Sequence, residues 1–235
     1  MRRDRLVILA IAAVILIAAL IGHALTLNLL LAIAVLVPSV ILHEISHGIV
    51  ANHFGDPTAK ERGRLTLNPL VHLDPFGSLI LPSLLALLGM PPIGYAKPVP
   101  VDVTRLRNRR NTVVIVALAG PATNLLISIA SGIALRGFLS QLLTTNGSIG
   151  AGFMALFYAG VVNLLLAVFN LIPIPPLDGS AILERLLPHA AWSSYLRFRT
   201  YFIVVIVLVA VLAPGVLQAI YSPFESLWLR IFTGA

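Results

Sequence analysis

The sequence predicts an all-α polytopic membrane protein with a small β element. Its apolar runs supply about five transmembrane helices plus one re-entrant or short apolar segment. Three observations predict this class. Of 235 residues, 58% are hydrophobic and only 11% charged, with a mean hydropathy of +0.97; a soluble domain carries about a quarter charged residues. The apolar residues fall into runs of about 20, the length a helix needs to cross a ~30 Å hydrocarbon core. The basic residues gather in the short connections between those runs, as the positive-inside bias requires.

The first run is 6–25, behind "MRRDR". It has spanning length and no clear small-x-small site, so it reads as a helix that stays rather than a cleaved leader. "TLN" at 26–28 is a tight turn into the second run, about 29–54. Pro38 lies within that run and can kink it. Turn formers dominate "GDPTAKERGR" and "LTLNPLVHLDPFG". Residues 78–90, "SLILPSLLALLGM", are too short to span and contain Pro82, so they read as re-entrant or interfacial. "RLTLNP" and "AKPVPVDV" have strand-like composition with prolines at edge positions; they form the expected β element and could pair with an unwound substrate. Runs at about 112–138, 151–172 and 200–221 each have spanning length. No internal repeat is present. The chain reads as one membrane domain over 1–235, with its core at about 29–185.

Charge orients these segments. A cytoplasmic N-terminus, with 78–90 not crossing, places 14 of the 16 Lys and Arg on the cytoplasmic side and leaves Arg136 and Arg230 outside. The net charge of +7 is thus explained by a multi-pass chain in the cell membrane, and no nucleic-acid partner is needed. The absence of cysteine excludes disulfides, thiolate metal sites and thiol nucleophiles.

The stretch "ILHEISHGIV" at 41–50 puts His43, Glu44 and His47 inside an apolar run. A charged residue at the centre of a spanning helix costs about 2.5–3.5 kcal/mol on insertion scales, so such residues are expected to be functional. Residues four apart share a helix face, so His43 and His47 can address one ion. Glu44 lies beside them in the position of a general base: the HExxH pattern. The alternative is a polar cluster that joins helices, which needs neither the spacing nor the carboxylate. A catalytic zinc needs a third protein ligand. Most Asp and Glu residues lie in polar loops or near the ends, leaving Asp74 and Asp178 besides Glu44. Asp178 follows the run 151–172 on the cytoplasmic side, and Pro173, Pro175 and Pro176 allow an extended segment that could bring it to the depth of the histidines. Its plainer reading is a turn residue in "LDG". His72 and Asp74 could form a second metal site, or could hydrogen-bond the backbone of an irregular loop. Gly120, Asn124, Ser128 and Gly132 form a small-residue stripe expected to pack on the HExxH helix, with Asn124 in packing or in support of the ligands.

"HEISHG" at 43–48, "GPATN" at 120–124 and "NLIPIPPLDG" at 170–179 resemble the site-2 protease family of intramembrane zinc metalloproteases. "LTLNPLVHLDPFGS" and "GYAKPVPVD" resemble its compact prokaryotic members, which lack PDZ or CBS domains. The resemblance covers about residues 35–185. It implies one Zn2+ per chain on His43, His47 and Asp178, Glu44 as base, and Asn170 assisting at the substrate carbonyl. It also implies a transmembrane protein substrate, cut within or near its spanning segment. Asn170's plainer reading is a helix cap or an interhelical hydrogen bond. Other classes fit less well. A silent membrane-binding relative would show an altered HExxH or a missing aspartate, a metal transporter would spread ligands over several helices, and aspartyl or serine intramembrane proteases need other groups. The sequence leaves the oligomeric state and substrate identity open.

Overall fold

A computed structural model describes residues 27–74, 96–145, 150–188 and 212–234, together with positions 205, 208 and 209. The first run, the segment 78–90 and most of 200–211 lie outside these.

The predicted second, fourth and fifth runs become long helices. α1 (Leu27–His53) carries the HExxH stretch and passes Pro38 without a break. A short helix, α2 (Thr58–Glu61), and a single 3-10 turn at Pro69–Val71 follow. α3 (Arg109–Thr145) is the longest element, and Pro121 is buried within it. α4 (Ala151–Asn170), a short α5 (Ser180–Leu186) and α6 (Pro214–Phe232) complete the described residues. Stretches of α1, α3 and α4 are long and apolar enough to cross a membrane. Within the described part of the expected run at 200–221, Ala213 is not helical and α6 begins at Pro214, where the ring fits the first helical turn and the missing N–H costs nothing.

α1, α3 and α4 pack mutually, with the α3–α4 contact the most extensive. Their outward faces expose Ile33, Leu36, Leu126 and Ile133, while Ser39, His43, His47, Asn124, Ser128 and Asn163 are buried between them. Apolar side chains gain nothing by leaving lipid for protein, so small and hydrogen-bonding residues hold the helix interfaces. The stripe on α3 is shared between partners. Gly120 and Asn124 face α1, whereas the Ser128 hydroxyl donates to Gly160 O on α4 and Gly132 lies against Phe232 of α6.

Among the described residues there is no strand, so the expected β element is not formed there. Residues 96–102 run extended without a ladder. Pro98 and Pro100 have no N–H, the Val99 N–H is engaged by Glu44, and the buried Arg64 guanidinium donates to the carbonyls of Val71, Lys97 and Pro98. The Lys97 and Val99 N–H groups and the Lys97 and Pro98 carbonyls are therefore already engaged inside the protein. Asp56, a loop carboxylate by sequence, is fully buried and fastens this strap: it accepts from the Thr58 N–H and hydroxyl and from the Asp102 N–H. Beyond it, the Thr104 hydroxyl and N–H hold the exposed Asp102 carboxyl below the usual carboxylate range.

Candidate metal centre

The helical spacing of His43 and His47 sets their rings edge to face, with centroids 4.7 Å apart. Each ring is anchored through its Nδ1. His47 Nδ1–H donates to the Val116 carbonyl at 2.7 Å, and His43 Nδ1–H to Asn124 Oδ1 at 2.5 Å. A carbonyl can only accept, so the hydrogen sits on Nδ1 and the Nε2 atoms present bare lone pairs.

Those two Nε2 atoms lie 3.1 Å apart, and Asp178 Oδ2 stands 3.0 Å from the first and 3.4 Å from the second. Three acceptors thus converge on one point, and Asp178 Oδ2 is buried with no hydrogen-bond donor. Such a set repels itself unless a cation lies within it. Tetrahedral ligands at zinc distances of about 2.0–2.1 Å stand about 3.3 Å apart, so the residues fit zinc. The wall opposite is Gly120, where a Cβ would overlap His43 Cε1 and the Nε2 atoms of both histidines. Only a glycine leaves that space open.

Asp178 is carried to the histidines by a closed loop. Gly179 N–H donates back to Asn170 O at 2.6 Å, and further bonds from Ile174, Leu177 and Ala181 hold the turns between. Gly179 packs against the carbonyls of Leu171 and Ile172, with no room for a Cβ. "LDG" is therefore a turn that also carries a carboxylate oxygen to the two histidines.

Glu44 is half-buried, and its Oε2 accepts the Val99 N–H at 2.7 Å, which ties this carboxylate to the extended strap. Asn170 ends α4, and its amide donates to Leu166 O at 2.9 Å within its own helix. His43, His47 and Asp178 are brought together, with Glu44 one residue from the first, while Asn170 makes no hydrogen bond to that cluster. His72 is buried and donates from Nε2 to Thr66 O, the backbone role expected of it. Among the described residues, His43, His47 and Asp178 are the one group of three able to hold a metal.

Sequence reasoning missed Asn163 and Ser39, both buried beside Asn124. A lone amide within the apolar run 151–169 was the available signal.

Residues 145–213 match the family described as Peptidase family M50. A Bacillus subtilis protein named "Putative zinc metalloprotease YwhC" is 39% identical over 183 residues, covering 74% of this chain and 77% of that protein. A Mycolicibacterium smegmatis protein named "Putative zinc metalloprotease Rip2" is 38% identical over 160 residues, 68% of this chain and 57% of its own length. No solved structure matches the chain. Similarity of this extent to YwhC, joined to the family match that spans Asp178, makes the chain a member of peptidase family M50, the site-2 proteases, and a zinc metalloendopeptidase.

Proposed function

We propose that the enzyme hydrolyses peptide bonds within or near the transmembrane segments of other membrane proteins, with His43, His47 and Asp178 as zinc ligands and Glu44 as general base. The observation that carries this reading is the position of the ligand cluster: two of its members lie within α1 and face α3, both helices of spanning length and composition.

Zinc held there supplies a Lewis acid for the scissile carbonyl and lowers the pKa of water to about 7. Glu44 accepts one proton of the attacking water and delivers it to the leaving nitrogen, so hydrolysis ends as a carboxylic acid and an amine, and the second water proton then passes from the new acid to the amine or to solvent. The Val99 N–H holds Oε2 and leaves Oε1 for the proton. Asn170 spends one amide hydrogen on Leu166 O, and its second is the donor for the oxyanion that develops on the substrate carbonyl. A helical substrate hides its peptide bonds in its own hydrogen bonds, so it must unwind before Glu44 can act. The basic loops are placed on the cytoplasmic side by the positive-inside bias, which sets the N-terminus there also.

The test is Glu44→Gln, nearly the same shape and unable to take a proton. Reconstituted variant at matched zinc content should bind a membrane-embedded reporter and cleave it ~10²–10⁴-fold more slowly. Cleavage at the wild-type rate would remove Glu44 from the mechanism.

A further inference from the structure

Among the described residues Asn124 is the hydrogen-bond partner of His43 at its Nδ1, yet an amide can present either end. With its oxygen toward the ring, Nδ1 carries the hydrogen and Nε2 is free to ligate. With its NH2 toward the ring, the ring must accept at Nδ1, the hydrogen moves to Nε2, and the ligand is lost. Something must therefore set which way Asn124 points.

The neighbouring bonds supply a direction. Asn124 Nδ2 donates to Asn163 Oδ1 at 2.7 Å and reaches Ser39 O at 3.5 Å. Asn163 Nδ2 donates to Ala159 O at 2.9 Å and to Ser39 Oγ at 2.8 Å. Ser39 Oγ itself donates to Val35 O at 2.7 Å, so it accepts from Asn163. Ala159 O and Val35 O are main-chain carbonyls and can only accept. They oblige Asn163 to turn its NH2 toward them and its oxygen toward Asn124. Asn124 must then turn its NH2 toward Asn163 and its oxygen toward His43. Both amides are fully buried, at 0% exposure, so no water substitutes for a missing partner.

We infer that Asn163 is a positioning residue for the metal site: through the relay Ala159–Asn163–Asn124–His43 it fixes the histidine tautomer that binds zinc. The inference rests on the assignment of His43 as a ligand. It crosses all three central helices, so the metal site reads the packing of α4 although α4's own side chains supply no ligand.

The test is zinc affinity, measured by chelator competition on purified full-length protein. Asn163→Ala should raise the zinc dissociation constant by ~10–100-fold, the range for loss of outer hydrogen-bond partners. Asn163→Asp keeps an oxygen facing Asn124 and should recover most of that affinity. Ser128→Ala removes another buried bond between α3 and α4, but one unconnected to His43, and should leave the affinity unchanged. In metal-free wild type, nitrogen NMR of labelled histidine should show His43 protonated at Nδ1. Wild-type affinity in Asn163→Ala, or equal losses in Ser128→Ala and Asn163→Ala, would overturn the relay, as would a proton on Nε2. Unchanged affinity in His43→Ala would instead remove the ligand assignment beneath it.

Discussion

At the scale of single residues, the metal centre depends as much on an absent atom as on its ligands. Gly120 faces the Nε2 atoms so closely that one added methyl would occupy the cation's space. Gly120→Ala should therefore lose zinc and activity together while remaining folded, as zinc content and helicity would report. Gly137, on the same helix, has nothing within 4 Å of an added Cβ among the described residues and is the control. There Ala should be neutral or stabilise by ~0.5–1 kcal/mol, because glycine loses more entropy in a helix. The ligands give a second expectation. Wild type should hold one zinc per chain, and His43→Ala, His47→Ala and Asp178→Ala should each lower occupancy. Full occupancy in Asp178→Ala would show that the cluster's buried carboxylate does not ligate.

At the scale of elements, α6 makes a separable contribution. Trp228 lies across Gly160, its Nε1 donates to Ser128 O at 3.3 Å, and Phe232 covers Gly132. This cluster, with Leu135, Leu164 and Tyr221, is built from residues other than the proposed zinc ligands and the proposed amide relay. Trp228→Ala should consequently lower the unfolding temperature by removing packing and one hydrogen bond, while zinc affinity in the folded protein stays at the wild-type value. A parallel fall in zinc affinity would show that α6 supports the site as well. The loop from Asn170 to Gly179 is the opposite case. Gly179→Ala strikes the Leu171 carbonyl and should displace Asp178, so zinc affinity should fall with it.

At the scale of the whole molecule, the described residues turn apolar side chains outward and bury polar ones between α1, α3 and α4. That distribution suits a chain solvated by lipid, where each buried hydrogen-bonding group must find its partner inside the protein. The orientation expected from charge is testable. With no native cysteine, single cysteines can report it. Positions beside Arg62 and Arg107 should be labelled only from the cytoplasmic side, and one in 146–149 only from the other. Labelling beside Arg107 from outside intact cells would mean that 78–90 crosses the membrane.

The sequence by itself pointed to the membrane class, to the helices that carry the candidate site and to the residues proposed as ligands. Each of these is set by local periodicity or by the cost of a polar group in hydrocarbon. Two histidines four apart share a face whatever surrounds them, and an aspartate after a proline-rich break is free to approach. The expected strands failed because strand composition says nothing about partners: Arg64, Glu44 and the two prolines leave 97–99 no ladder to make. Tertiary structure alone decided which group holds each histidine's Nδ1. Val116 offers a main-chain oxygen indistinguishable in sequence from any other, and Asn124 takes its direction from Asn163, 39 positions away, with a longer contact to Ser39 O. Hydrogen-bond polarity is a property of the assembled network, and no window of sequence contains it.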